Sequence, residues 1–260
     1  MRPSLTNQFQ KRNKNLMLNI VIPMAGAGSR FNVAGYTDPK PLIPVRGKPM
    51  IKLVIENLTP IQQHRFIFIC QSAHVAKYGL HEKLTAWAPG CVVIEINGIT
   101  EGAACTVLTA KSFIDNDSPL MIANSDQFVD MDVNQYLSIF DNTSIDGLIM
   151  TMRASDPKWS FVGLDSNRYV IRVVEKEVIS DEATVGIYNF RQGRSFVSAA
   201  ETMIANNERV NGEFYVAPVY NRLIGSGHKI SICNVGSEGA GMFGLGTPAD
   251  LEFFLANGIL

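Results

Sequence analysis

Four apolar runs of strand length, Leu18–Ile22, Phe66–Cys70, Val92–Ile96 and Leu120–Ala123, alternate with helix-length segments through the first part of the chain. Met50–Leu58 sets Ile51, Val54, Ile55 and Leu58 on one helical face, and Ala103–Ala110 and Val133–Phe140 read as further helices. Strand, helix, strand in repeated succession predicts parallel strands covered by helices on both faces. After Asp146 the strands crowd together, at Gly147–Thr151, Phe161–Leu164, Val170–Glu175 and Thr184–Phe190, so the sheet is expected to be mixed, though mostly parallel. Two helices are expected at Arg194–Ile204 and Phe214–Leu223. A last helix starts from Thr247 as N-cap with Pro248 at its first position, and buries Leu251, Phe254 and Leu255. With no internal repeat or long linker, the expectation is one α/β domain with a Rossmann-like sheet, spanning residues 17–260.

The chain has 260 residues, 46% hydrophobic and 18% charged, a balance that supports a large core without disulfide or metal staples. Twenty-three Lys plus Arg stand against 24 Asp plus Glu, a net charge of −1 that offers no broad basic face to nucleic acid. Cys70, Cys91, Cys105 and Cys233 lack metal-ligand or paired spacing and read as buried free thiols. His64, His74, His81 and His228 form no ligand or triad spacing, and no Gly-x-Ser-x-Gly elbow is present. Residues 1–16 are polar and basic with no signal-peptide core, so a disordered leader or a misassigned upstream start is expected there. No apolar run is long enough to span a membrane, which points to a cytoplasmic protein without a membrane partner.

The first strand runs into Met24-Ala25-Gly26-Ala27-Gly28-Ser29-Arg30-Phe31, and Pro39-Lys40-Pro41-Leu42 follows shortly after. Glycines directly behind a first strand let backbone N–H groups approach phosphate oxygens, and a fixed Arg and Lys can neutralise a triphosphate. A dinucleotide fingerprint would need a third glycine where Phe31 stands, and a P-loop would need Ser or Thr where Pro49 follows Gly47-Lys48. Neither motif fits; taken alone, the loop could equally be a tight turn with solvated cations.

Three blocks in order, Gly26-Ala27-Gly28-Ser29-Arg30, Pro39-Lys40-Pro41-Leu42 and Gly47-Lys48-Pro49-Met50-Ile51, resemble the signature of the sugar-phosphate nucleotidyltransferases. The resemblance implies a GT-A-type domain with a nucleotide-binding half at 17–146 and an acceptor-binding half at 147–260. It implies that Arg30 and Lys40 hold triphosphate oxygens, with Ala25, Gly26, Ala27, Gly28 and Ser29 around the nucleotide. Asn97 and Glu101-Gly102-Ala103 look like the family's base-reading segment, although Asn97-Gly98 also reads as an ordinary turn. Asp126, at the carboxyl end of a predicted strand, looks like the family's Mg2+ aspartate. Lys176, Gly186 and Glu213 lie in stretches that resemble acceptor-pocket elements, and Glu177 replaces the proline that often follows the lysine.

The departure that matters is Gly244, where many relatives carry a second metal-binding aspartate. Triphosphate oxygens and water can complete a Mg2+ shell that has only one or two protein ligands. The implied reaction moves a nucleoside monophosphate from an NTP to a small phosphorylated acceptor and releases pyrophosphate. The run Gly35–Lys40 most resembles enzymes of capsule and surface-polysaccharide pathways, including cytidylyltransferases acting on acceptors such as phosphoglutamine, so CTP is favoured. Two other classes remain open at this point: a glycosyltransferase, although Asn124-Ser125-Asp126 supplies only one acid of an Asp-x-Asp motif, and a module that binds NTP without turnover. No attached acyltransferase or regulatory domain is expected, and a homo-oligomer is left open.

Overall fold

The computed structural model describes residues 16–141 and 143–257; apart from Leu16, the expected leader lies outside them. The first strand, β1 (Leu18–Pro23), sends Leu18, Ile20 and Ile22 into one hydrophobic cluster and Val21 into another, all fully buried. A strand without a polar face must be covered on both sides. Its one polar side chain, Asn19, accepts a 2.7 Å hydrogen bond from the Arg65 guanidinium.

The chain continues through α1 (Ser29–Val33), β2 (Pro44–Val45), β3 (Lys48–Pro49), α2 (Met50–Leu58), β4 (His64–Gln71), α3 (Ser72–Tyr78), α4 (Leu80–Trp87) and β5 (Val92–Ile96). Next come α5 (Ala103–Leu108), α6 (Lys111–Ile114), β6 (Leu120–Ala123), β7 (Gln127–Val129), α7 (Val133–Asp141), β8 (Gly147–Arg153), β9 (Ser160–Leu164) and β10 (Val170–Glu175). The remainder forms β11 (Glu182–Phe190), α8 (Gly193–Ala205), α9 (Tyr220–Gly225), β12 (Ile230–Glu238), β13 (Gly241–Gly244) and α10 (Pro248–Asn257).

The main sheet has the order β5-β4-β1-β6-β11-β8-β12-β13-β7. β5, β4, β1 and β6 are parallel, β11 runs antiparallel between β6 and β8, and β12 is again parallel to β8. The β9–β10 hairpin joins the sheet where Phe161 pairs with Ala183 of β11. The mixed sheet flanked by helices is the expected architecture. From β1 the chain steps outward to β4 and β5 and then crosses back to β6 on the other side of β1. That reversal opens a crevice at the carboxyl ends of β1 and β6, where such sheets place ligands.

α2, α3, α4 and α7 pack on one face of the sheet; α5, α6, α8 and α9 pack on the other. A third cluster joins Phe31 of α1, Met50 and Leu53 of α2, Phe128, Phe243, and Leu251 and Phe254 of α10. It fastens the last described helix to the glycine-rich loop.

Three expectations need correction. Leu255 is 41% exposed rather than part of the buried stripe of α10. No continuous helix spans Phe214–Leu223: Phe214 donates its N–H to Glu101 at 2.9 Å and accepts from Ala104 at 3.0 Å, so its backbone is committed to another segment. Helical structure starts only at a 3-10 turn over Ala217–Val219, with Pro218 near its N-terminus, and continues into α9. Of the four free cysteines, Cys70 and Cys233 are buried but Cys91 and Cys105 are only partly covered. Burial pushes the Cys70 thiol up to about 12, so it stays protonated and inert.

Candidate active site

At the crevice, the loop after β1 passes under Lys40. Gly28 has φ of 62°, and a Cβ there would lie 3.6 Å from the Cβ of Lys40. Glycine supplies the left-handed turn at little cost. Over Gly26 the space is open: a Cβ there would meet nothing within 4 Å. Ala25 is buried, whereas Ala27, Ser29 and Arg30 are exposed, and Ser29 opens the short helix α1. A cavity of about 150 Å³ is lined by Pro23, Met24, Gly26, Gly28, Lys40 and Asp126, among others.

Lys40 Nζ donates to Asp126 Oδ2, and each side chain is 23% exposed. A pair this open to water stabilises a fold by about 1 kcal/mol or less. Its importance therefore lies in placing a cation and an anion together at the strand ends. Arg30 has no side-chain hydrogen bond or ion pair among the described residues and is free to meet a ligand.

Gln71, at the end of β4, has no counterpart among the residues expected from sequence. Its side-chain amide donates to Ala25 O at 2.6 Å and to Gly98 O at 2.7 Å, tying the glycine-rich loop to the Asn97-Gly98 turn. Asn97 is exposed on that turn, where Gly98 has φ of 78°. Gly102 has φ of 139°, and a Cβ there would stand 2.5 Å from the Phe214 nitrogen. Only glycine fits this approach. It brings Gly102 and Ala103, at the start of α5, against the Glu213-Phe214-Tyr215 segment.

Of the expected acceptor residues, Lys176 and Glu213 lie close enough to feel each other's charge, whereas Gly186 lies elsewhere. Lys176, itself left-handed with φ of 57°, donates to the Tyr215 hydroxyl at 2.7 Å and lies 5.0 Å from that ring's centre. The hydrogen bond to Tyr215 pushes the Lys176 ammonium above the ordinary lysine range, so it stays charged. Glu175 is buried and accepts from the Ser160 hydroxyl; burial pushes its carboxyl up, and the nearby charge of Glu213 adds to the effect. Gly186 has φ of 84°, and a Cβ there would sit 2.7 Å from Gln127 Oε1 and closer still to the Asn124 amide. It thus approaches the strand end that carries Asp126. Glu175 and Tyr215 lie within the stretches that sequence singled out, but Ser160 was missed, because the buried Ser160–Glu175 pair carries no local sequence signal.

A larger cavity, about 720 Å³, lies elsewhere, between the turn of the β9–β10 hairpin and the ends of β8, β11 and β12. None of the expected site residues lines it. Neither Arg30 nor Lys176 forms an ion pair or hydrogen bond with Lys40 or Asp126 among the described residues.

Among solved structures, the chain resembles a nucleoside-diphosphate-sugar pyrophosphorylase from Vibrio cholerae, with 27% identity, TM-score 0.75, and coverage of 91% of this chain and 99% of that one. An inositol-1-phosphate CTP transferase from T. maritima shares the fold at 14% identity and TM-score 0.72, with coverage of 95% and 99%. In sequence, the chain is 26% identical to the bifunctional protein GlmU of Burkholderia multivorans over 221 residues, 82% of this chain and 46% of that protein. It is 25% identical to GlmU of Methanocaldococcus jannaschii over 178 residues, 66% of this chain and 40% of that protein. The chain thus spans about half the length of the curated relatives it matches or less. The nucleotidyl transferase family model matches residues 20–215, well over half of the chain, and with the loop, the Lys40–Asp126 pair and the sheet already described it follows that the chain belongs to the nucleotidyl transferase family.

Proposed function

We propose that this protein transfers a nucleoside monophosphate from an NTP, with CTP favoured, to a small phosphorylated acceptor and releases pyrophosphate. The observation that carries the reading is the Lys40–Asp126 pair in the β1–β6 crevice, beneath the signature loop. The nucleotide-binding half is assigned to residues 17–146 and the acceptor-binding half to 147–260. Preference for CTP rests on the run Gly35–Lys40. Among the described residues no helix is long and apolar enough to cross a membrane, consistent with work on water-soluble substrates in the cytoplasm.

The residues at Asp126 suit Mg2+, a hard cation that keeps several waters and binds through one or two carboxylates plus substrate phosphates. The described residues hold no group of three or more His, Cys, Asp or Glu side chains able to cage a metal, which suits an ion brought in with a triphosphate. A side chain at Gly246 would intrude on Asp126, its Cβ only 2.9 Å from Oδ2, so glycine keeps the carboxylate accessible. When bound, Mg2+ would neutralise phosphate charge. Lys40 and Arg30 orient the triphosphate so that pyrophosphate faces away from the acceptor. Lys176 holds the acceptor phosphate, whose oxygen attacks the α-phosphorus in line. No general base is required, because a phosphomonoester with a second pKa of about 6 is already a dianion at neutral pH.

A panel of the four NTPs against sugar 1-phosphates and small phosphomonoesters, including phosphoglutamine, tests this reading through pyrophosphate release. Release that depends on acceptor supports it. NDP release from an NDP-sugar instead would make the protein a glycosyltransferase, and binding without turnover would make it a nucleotide sensor.

A further inference from the structure

Gly244 leaves the position of the expected second acid without a side chain, and another carboxylate stands over it. A Cβ on Gly244 would lie 3.6 Å from Asp250 Cγ and 3.7 Å from its Oδ2. A Cβ on Gly246 would lie 2.9 Å from Asp126 Oδ2 and 3.9 Å from Asp250 Oδ2. The two carboxylates therefore converge on one point, which Gly246 leaves empty. Gly246 does not have a positive φ, so what its lack of a side chain supplies there is space rather than a special backbone conformation.

Asp250 reaches this point from the first turn of α10. Its N–H donates to Thr247 Oγ1 at 3.1 Å, as a third helical residue does to a Thr N-cap. The reciprocal half of a capping box, from the Thr247 N–H to the Asp250 carboxylate, is not made, and that carboxylate has no hydrogen bond or ion pair among the described residues. Lys158 feels its charge, but the Lys158 ammonium is bonded to Glu238 at 2.8 Å. Lys40 neutralises only Asp126. Two partly buried carboxylates that share one opening, only one of them paired with a lysine, leave a negative charge that a cation would offset.

We propose that Asp250 is the second protein carboxylate of the divalent-cation site at Asp126, taking over from α10 the role of the acid missing at position 244. This rests on the reading of Asp126 as the Mg2+ anchor. The same acid is supplied from the helix just beyond β13 rather than from the strand itself.

The test is Mn2+ binding to the full chain, read from the free-ion electron paramagnetic resonance signal, with thermal melts to confirm folding. Asp250→Asn should weaken Mn2+ binding by about 10-fold or more, since even indirect disturbance of a metal site costs about that much. Asp250→Ala serves as a second variant should the first fold poorly. The double variant Gly244→Asp/Asp250→Asn should recover affinity to within a few-fold of the original protein, because Gly244 has ordinary backbone angles and room for a Cβ. Wild-type Mn2+ affinity in Asp250→Asn or Asp250→Ala, with binding lost in Asp126→Asn, overturns the proposal and leaves the anchor at Asp126 intact. A double variant that stays weak also overturns it. Unchanged Mn2+ binding in both Asp126→Asn and Asp250→Asn would remove the anchor reading itself.

Discussion

Lys40 and Asp126 are 86 residues apart in sequence and adjacent in space, each under a quarter exposed. On the proposed function, removing Lys40 leaves a carboxylate to face the triphosphate unaided. Lys40→Ala should reduce pyrophosphate release by about 10²-fold or more, the scale of losing one preorganised donor, with little change in melting temperature. Near-normal turnover in the folded variant would refute the assignment. Glu175 gives a pH test. Its carboxyl is held above the ordinary range by burial, so the folded state keeps the proton longer than the unfolded chain does. Ionisation at neutral pH therefore costs stability, and that loss disappears as pH falls through the raised pKa to the ordinary one. Glu175→Gln should melt higher than the parent protein at neutral pH, and the gap should close on acidification. A gap that widens in acid would contradict this. Residues carried by the signature blocks, such as Lys40, and Asp126 at its strand end were legible in the sequence because their neighbours mark them. Gln71 and Asp250 were not, since their partners are made only by the fold.

At the scale of elements, the start of α5 meets the segment before α9 where Gly102 lies against Phe214. Strands such as β5, β6 and β10 were legible to the residue because apolar runs with polar ends define them. The segment from Phe214 misled: its apolar spacing suits a helix, but its N–H and carbonyl are taken by Glu101 and Ala104. Long-range pairing of that kind has no local periodicity. It is testable at Gly102, where alanine would need both a strained φ and room that the Phe214 backbone occupies. Gly102→Ala should destabilise by about 3 kcal/mol, equivalent to a fall in melting temperature of roughly 6–12 °C in a domain of this size. An unchanged melt would mean that the two segments do not pack this tightly. Gln71→Ala should act differently. It unties Ala25 from Gly98 without opening the core, so the KM for NTP should rise with little loss of stability. An unchanged KM would make Gln71 a bystander.

The whole molecule closes on itself through α10, which returns from β13 to the cluster under the glycine-rich loop. Phe254 is fully buried there, with ring centres 5.6 Å from Phe128 and 5.5 Å from Phe243, in the same cluster as Phe31 of α1. Phe31 follows Arg30 and Phe128 follows Gln127, so one apolar cluster underlies both the glycine-rich loop and the strand after Asp126. Asp250 rides on the same helix, one turn before Phe254. Phe254→Ala should cost about 3–5 kcal/mol by opening a cavity in this cluster. A purely global loss would lower the melting temperature and leave the folded fraction with normal kinetics. If α10 holds Asp250 against Asp126, the folded variant, assayed well below its melting temperature, should also need more Mg2+ for half-maximal pyrophosphate release. Leu223→Ala, which opens a cavity in the cluster on the opposite side of the sheet, is the matched control. It should lower stability comparably and leave the Mg2+ requirement where it was. Equal Mg2+ requirements in the two variants would show that the helix closes the fold without positioning the site.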